Sequence, residues 1–432
     1  MAGPVAAVPR PQPPAPLGNR PFLRLAIALA FVAGASAAGL YAFVWWEERP
    51  LAEVERLLDA GEPRKALISV NRFLREHPQH GRGLALKART LSASGQVDAA
   101  IDLYERVGAA DPKDLHALAQ ALLHRQQWSA ALPILKVLET TDLHKADVLH
   151  ELAGCKSRLG DFDGALESAE KFSKQPGMEA RGQLLLGTIH RDRGNLQQAA
   201  TAWGDVLRLR PDAADLQIGP AEFFLEYGRV LYGIGEMTLA AEQFQRSLEL
   251  EEAAPTLVAL GNAQVQLGQV ESANENLQRA LELEPGALPP RVGLAQLALT
   301  QRNAEQAFEF LSPLQSSGEM TGEIAYLFQR IYTLRGDTAQ ATHWRDRADE
   351  LRKSESIRNT TDQILRDSPE SNWAHVIRAH RFAEEGNWDE AERILKPLAP
   401  TAPDQPFIQA LDAAVKSRGT LPPLSDLPMV RF

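Results

Sequence analysis

Residues 257–285 read LVALGNAQVQLGQVESANENLQRALELEP. An apolar-periodic segment, Leu257-Val258-Ala259-Leu260-Gly261-Asn262-Ala263, runs up to Gly268. A second segment carries Ala273 and Ala280 and stops at Pro285. The pattern predicts a helical hairpin. Gly268 can take the left-handed conformation that ends the first helix. Ala273, five residues on, offers a side chain small enough for two helices to approach closely. Pro285 terminates the second helix, because it lacks an N–H and clashes with the preceding turn.

The same Gly–x4–Ala element recurs along the chain. It reads Gly61…Ala66, Gly95…Ala100, Gly160…Ala165, Gly194…Ala199, Gly235…Ala240, Gly268…Ala273, Gly336…Ala341 and Gly386…Ala391. Two further units keep the Ala and lose the Gly: Gln126…Ala131 and Arg302…Ala307. Successive Ala positions lie 34, 31, 34, 34, 41, 33, 34, 34 and 50 residues apart. Large apolar residues at helical spacing, such as Phe244 and Leu248, fill the gap to the next unit. One hairpin cannot bury its apolar face alone, so the units must stack.

This period and these positions resemble the tetratricopeptide repeat (TPR). Leu260-Gly261, Gly268, Ala273 and Pro285 match its Leu-Gly, turn Gly, second-helix Ala and closing Pro. Other units carry parts of the pattern: Gly187, Gly194, Ala199 and Pro211; Gly228, Gly235, Ala240 and Phe244; Ala88, Gly95, Ala100, Tyr104 and Pro112. The resemblance covers about residues 50–400. It implies an all-α, right-handed superhelical solenoid of about ten helical hairpins. Segments follow from the spacing: a repeat array at 47–345, an extended helix plus a final unit at 346–400, and a capping helix (Ile408–Val415) with a Pro-rich tail at 401–432. The interval from Ala199 to Ala240 places a longer loop around Asp212–Pro220. The charged, Pro-free stretch Asp346–Leu365 extends the second helix of the ninth unit up to a break at Pro369.

The N-terminus differs. Residues 1–21 are Pro/Ala-rich without apolar periodicity and read as a disordered tail. Leu25 to Trp46 is an uncharged run of 22 residues between Arg24 and Glu47. At about 1.5 Å per residue such a helix spans a bilayer core. Tyr41, Trp45 and Trp46 stand at its far end, where amphipathic rings prefer the interface. Residues 22–46 are therefore expected to form a transmembrane helix. A cleaved signal peptide is the competing reading, with Ala35-Ser36-Ala37 as the cleavage site, but the apolar run continues well past it. Arg20 and Arg24 before the run, with Glu47-Glu48 after it, favour a cytoplasmic N-terminus and a periplasmic body. Arg49, Arg56, Arg64 and Lys65 soon after count against that orientation.

Composition narrows the function classes. The chain carries 46 Lys+Arg against 56 Asp+Glu, a net charge of −10, and the part beyond the N-terminal run is more acidic still. That argues against general phosphate-backbone binding, so no nucleic-acid partner is expected. Cys155 is the single cysteine, which allows neither an intrachain disulfide nor a thiolate zinc site. There is no His-Glu-x-x-His, no phosphate-binding Gly loop and no Gly-x-Ser-x-Gly elbow. We therefore expect no catalytic residue, metal or cofactor. Trp128, Trp203, Trp344, Trp373, Trp388, His190 and Cys155 read as packing residues.

In the family, the first helix of each hairpin lines a concave surface. Carried onto this chain, that surface holds Arg82, Arg89, Lys113, His116, Gln120, His124, His150, Arg158, Arg191, Arg229, Tyr232, Asn262, Tyr326 and Arg330. The lining is mostly basic, which implies an acidic peptide or a C-terminal carboxylate held by Arg forks. The chaperone-type carboxylate clamp needs a Lys/Asn/Arg set of which only Asn262 fits. The reading is a membrane-tethered scaffold that recruits protein partners. Several bacterial envelope proteins share this plan, an analogy of architecture alone. A cytoplasm-facing regulatory adaptor and a self-assembling membrane protein remain as alternatives.

Overall fold

The long unbranched residues and alanines that dominate this chain favour helix, and helices are what they form. The computed structural model describes residues 49–315, 320–368 and 371–428, and no β-strand occurs among them. The expected membrane helix at 22–46 lies outside the described residues. Among those described, no helix is long and apolar enough to cross a membrane.

The helices pair in sequence order. Helical residues 49–59 (α1) pair with α2 (Pro63–Glu76), α3 (Gly81–Ala93) with α4 (Val97–Val107), and α5 (Pro112–His124) with α6 (Trp128–Glu139). Next in the chain are α7 (Lys145–Arg158) and α8 (Phe162–Ser173), after which α9 (Glu179–Asp192) pairs with α10 (Leu196–Leu209), and α11 (Pro220–Gly233) with α12 (Met237–Leu250). The series continues through α13 (Ala254–Gln266) with α14 (Val270–Leu283), α15 (Leu288–Thr300) with α16 (Ala304–Leu311), and α17 (Gly322–Arg335) with α18 (Thr338–Asp367). It closes with α19 (Asn372–Glu384), α20 (Trp388–Leu398) and α21 (Pro406–Ser417). The chain divides into two compact units between Cys155 and Lys156, inside α7.

Every hairpin turns through one left-handed residue. Where the sequence has Gly, φ lies between 70° (Gly61) and 88° (Gly235). At the two positions without Gly the backbone is the same: Gln126 has φ 57° and Arg302 has φ 59°. The turn geometry is therefore dictated by the hairpin, and these two side chains tolerate it at a cost of about 1–2 kcal/mol each. Five residues on, nine of the ten alanines are fully buried, Ala66 through Ala391, and Ala341 is half-buried.

A second rule links the two helices of a hairpin. A small residue on the first faces a large one sixteen positions later on the second. An added Cβ would come within 2.3 Å of Trp203 at Gly187, 2.5 Å of Phe244 at Gly228 and 2.7 Å of Leu277 at Gly261. Ala88 with Tyr104, Ala119 with Leu135, Ala295 with Leu311 and Ala379 with Leu395 repeat the arrangement in their own core clusters. The first (Val54, Val70), fourth (Leu152, Ser168) and ninth hairpins depart from it; in the ninth Phe328 replaces the small residue, and Trp344 stacks on it at 4.5 Å. Of the tryptophans expected in the core, Trp203 is fully buried, while Trp128, Trp344, Trp373 and Trp388 are half-buried. Cys155 is buried, its thiol donating to the Trp128 carbonyl.

The segment between α10 and α11 passes through left-handed Ala213, Asp215 and Gln217 and buries Ala213 and Leu216 against the neighbouring helices. Arg181 Nε donates to the Asp215 carbonyl at 2.9 Å, fixing its crest. Helix α18 runs for 30 residues. Its extension carries Glu355, whose carboxylate caps the Gly322 amide at 2.9 Å, and Asp362, which receives Arg381 at 2.6 Å. Phe407, Ile408, Leu411 and Val415 of α21 close the apolar face of α19 and α20. Residues 419–428 then return across it, with Leu427 buried and the Pro422 carbonyl 2.9 Å from His380 Nε2. The Pro-rich tail is thus a packed segment, and its Leu421, Leu424 and Leu427, spaced by three, are the sequence signal for docking.

Candidate interaction surface

The inner faces of α1, α3 and α5 enclose a concavity of about 560 Å3 in the first unit. Its floor is apolar: Leu58, Ala93, Val97, Ala117 and Leu143. Its rim is polar: Asp59, Arg89, Lys113, His116, Gln120, His124 and His144. Five of the residues expected on the concave surface meet here, because the first helices of the second and third hairpins lie side by side. His144, a left-handed residue (φ 47°) at the entrance to α7, was not foreseen. It stacks on His116 at 5.2 Å.

The cations of this surface are matched by carboxylates that the sequence reading did not assign to it. Arg89 Nε donates to Asp114 Oδ1 at 2.8 Å with both side chains largely buried. The Tyr104 hydroxyl lies 3.4 Å from the same oxygen. Burial outweighs the guanidinium and raises the Asp114 carboxyl above its ordinary range. Burial, followed by the Asp114 charge, drives the Tyr104 phenol far above its usual value, so it remains a neutral donor. His116 Nε2 lies 3.0 Å from Glu151, and the Gln120 amide donates to Glu151 at 2.9 Å. Arg82 pairs with Glu55 at 3.1 Å, and Lys113 stands 3.6 Å from Asp59. Lys113 is the loosest of these ion pairs, and His124 is exposed beside it.

In the second unit the expected residues are spread out. Arg191 and Arg229 share Glu226, at 3.1 and 2.6 Å, and Arg191 also lies over the Trp203 ring at 5.6 Å. Tyr232 is half-buried against its hairpin's core. Asn262 lines a smaller concavity of about 260 Å3 with Gln296, Thr321 and Glu323. Tyr326 lies under the Arg352 guanidinium at 5.0 Å. Arg158 is exposed and Arg330 half-buried; His150, at the end of the first unit, is half-buried and engaged. Of the basic residues read from the sequence, Arg82, Arg89, Lys113, Arg191 and Arg229 each have a carboxylate within 4 Å. His190 is half-buried, with burial and then Arg193 lowering its pKa. No group of three or more metal-ligating side chains occurs among the described residues.

Comparison with known proteins bears on this architecture. Tetratricopeptide-repeat family models match residues 57–124 and 264–331, and a second such model matches 156–214. The chain is a tetratricopeptide-repeat protein. The hairpins outside the matched stretches, α11–α12 and α19–α20 among them, keep the same helix–turn–helix geometry with a left-handed turn residue. No curated protein matches the chain. It is similar to a solved TPR protein from Parabacteroides merdae ATCC 43184, at 14% identity over 56% of this chain and 93% of that one, TM-score 0.45. It is also similar to MamA from Desulfovibrio magneticus RS-1, at 21% identity over 40% of this chain and 97% of that one, TM-score 0.36. PilW, a type IV pilus biogenesis factor, gives 19% identity over 53% and 96%, TM-score 0.39. TPR proteins are generally protein-interaction scaffolds, typically without catalysis of their own.

Proposed function

We propose that this TPR protein is a membrane-tethered scaffold that holds a protein partner in the first-unit concavity, for assembly or recruitment of an envelope complex. The observation that carries the reading is the convergence of Arg89, Lys113, His116, Gln120 and His124 around one apolar-floored hollow. Buried pairing makes Arg89 and His116 rigid walls, so recognition falls to Lys113, His124 and the apolar floor. An acidic side chain or chain terminus of the partner displaces Asp59 from Lys113, while an apolar side chain fills the space over Ala93 and Ala117. Residues 22–46 tether the scaffold to a bacterial inner membrane, N-terminus inside and repeats in the periplasm. The length and aromatic end of that run support this.

The test is affinity capture with the full chain from detergent-solubilised membranes, beside a Lys113→Glu/His124→Glu variant, with circular dichroism to check that both are folded. A defined partner held by the wild type and lost by the variant supports the reading. Equal retention by both would place binding elsewhere. Degradation of the repeats by protease added to spheroplasts tests the periplasmic orientation.

A further inference from the structure

The second helices of the hairpins allow an internal comparison, because each presents one face away from its partner. From α4 to α20 these helices are electrically neutral or acidic: α4 carries Asp98, Asp102 and Glu105 against Arg106, and α14 carries Glu271, Glu275 and Glu282 against Arg279. Helix α2 is the exception. It carries Arg64, Lys65, Arg72 and Arg75, and its one acidic residue is its last, Glu76.

Helical geometry gathers these residues. Ala66, Val70 and Phe73 bury one side of α2. The opposite side presents Arg64, Ile68, Arg72 and Arg75, which fall within a quarter-turn of one another at 100° per residue. Ile68 stands at the centre and is 63% exposed, more than any other large hydrophobic side chain described. Lys65 is drawn to Glu62 at 2.7 Å, whereas Arg64, Arg72 and Arg75 are exposed and pair with no carboxylate among the described residues. An isoleucine ringed by unpaired guanidinia suits an interface that is anionic outside and apolar within.

Position in the chain selects the occupant. The end of α2 (Phe73, Glu76, His77) lines the same hollow as Arg49, Pro50, Ala52 and Glu53 at the start of the described chain. The uncharged run that closes with Trp45-Trp46 ends only three residues before Arg49. The hairpin thus folds the cationic end of α2 back to where that run joins. We infer that the outer face of α2 (Arg64, Ile68, Arg72, Arg75) docks onto the anionic headgroup surface of the membrane, with Ile68 entering the interface. The inference rests on the membrane tether proposed above. It gives the tether a purpose beyond attachment: the first unit, with its concavity, is held at a fixed attitude to the bilayer.

The test uses the full chain reconstituted into vesicles of phosphatidylcholine alone or mixed with phosphatidylglycerol. Ile68→Cys is labelled with an environment-sensitive fluorophore; the native Cys155 is buried, and the unsubstituted protein reports any label it takes. Val137→Cys, exposed on a helix of the third hairpin, is the control. Flotation reads the tether and the fluorophore reads the docking. The expected result is a blue shift at 68 that needs phosphatidylglycerol and is absent at 137. Arg64→Gln/Arg72→Gln/Arg75→Gln should shift the docking equilibrium on the order of a hundredfold, about fivefold per cation, without affecting flotation. A protein that floats with position 68 in water, or shifts equally in phosphatidylcholine, overturns the docking and leaves the tether standing. A protein that does not float overturns the tether and the docking with it.

Discussion

Replacing Gly187 by Ala puts the packing rule to a quantitative test. Gly187 lies in α9, and an added Cβ would stand 2.3 Å from both Cδ1 and Nε1 of Trp203. Ordinary carbon contact is about 3.5–4.0 Å, so the indole must retreat by more than an ångström. It has little room: Trp203 is 2% exposed and meets Phe223 and Tyr227 edge-on at 6.2 and 6.4 Å. Its Nε1–H also donates to the Leu184 carbonyl at 3.0 Å. Overpacking costs about 1–3 kcal/mol, and stranding the indole N–H adds roughly 1–3 kcal/mol. Alanine's helix propensity returns about 1 kcal/mol. The net loss is about 1–5 kcal/mol, centred near 3. Gly154, in α7, provides the opposite case, since its added Cβ meets nothing within 4 Å. Gly154→Ala should stabilise by about 0.5–1 kcal/mol. Amide hydrogen exchange read by mass spectrometry suits a repeat array, which opens unit by unit. Protection across α9 and α10 should fall on the order of a hundredfold, and at least about fivefold, in Gly187→Ala, and rise across α7 in Gly154→Ala. If both substitutions raise protection alike, size complementarity between the helices does not set hairpin stability.

Three further outcomes follow from particular residues. Gln126→Gly and Arg302→Gly should each stabilise by about 0.5–1 kcal/mol, the left-handed penalty less the entropy of an added glycine, read as a higher denaturant midpoint. Because burial raises the Asp114 carboxyl, its ionisation works against the fold. Its contribution to stability is present below the ordinary carboxylate range and is lost as pH rises through the raised value. Wild type minus Asp114→Asn stability, measured against pH, should fall over that window, and a difference that rises instead would contradict the assignment. Truncation after Ser417 removes Leu421, Leu424 and Leu427 from the last core cluster; protection in α19 should fall by at least tenfold, with α9–α14 unchanged.

Much of this architecture was legible because the repeat writes the same physics ten times. The Gly–x4–Ala spacing located each turn and buried contact, and the two units lacking Gly were found by phase alone. Burial of individual aromatics was less legible. Trp344 occupies the position of Trp203, but Phe328 stands where Gly187 does and holds the ring half out of the core. The surface was legible as a list of positions, not as a charge. Arg82, Arg89 and His116 were read from the first helices of their hairpins, whereas Glu55, Asp114 and Glu151, their partners, lie 25 to 35 residues away. Such distant pairings follow from stacking one hairpin on the next, and one-dimensional patterns do not register them.

The measurement that tests the account most directly is site-specific photo-crosslinking in intact cells. A photoreactive amino acid replaces His124 on the rim of the concavity, and in a second protein Val137 on an exposed helix face. The account predicts one discrete crosslinked protein at position 124, absent at 137 and lost when Lys113→Glu is added. A crosslink at 137 with none at 124 would contradict it.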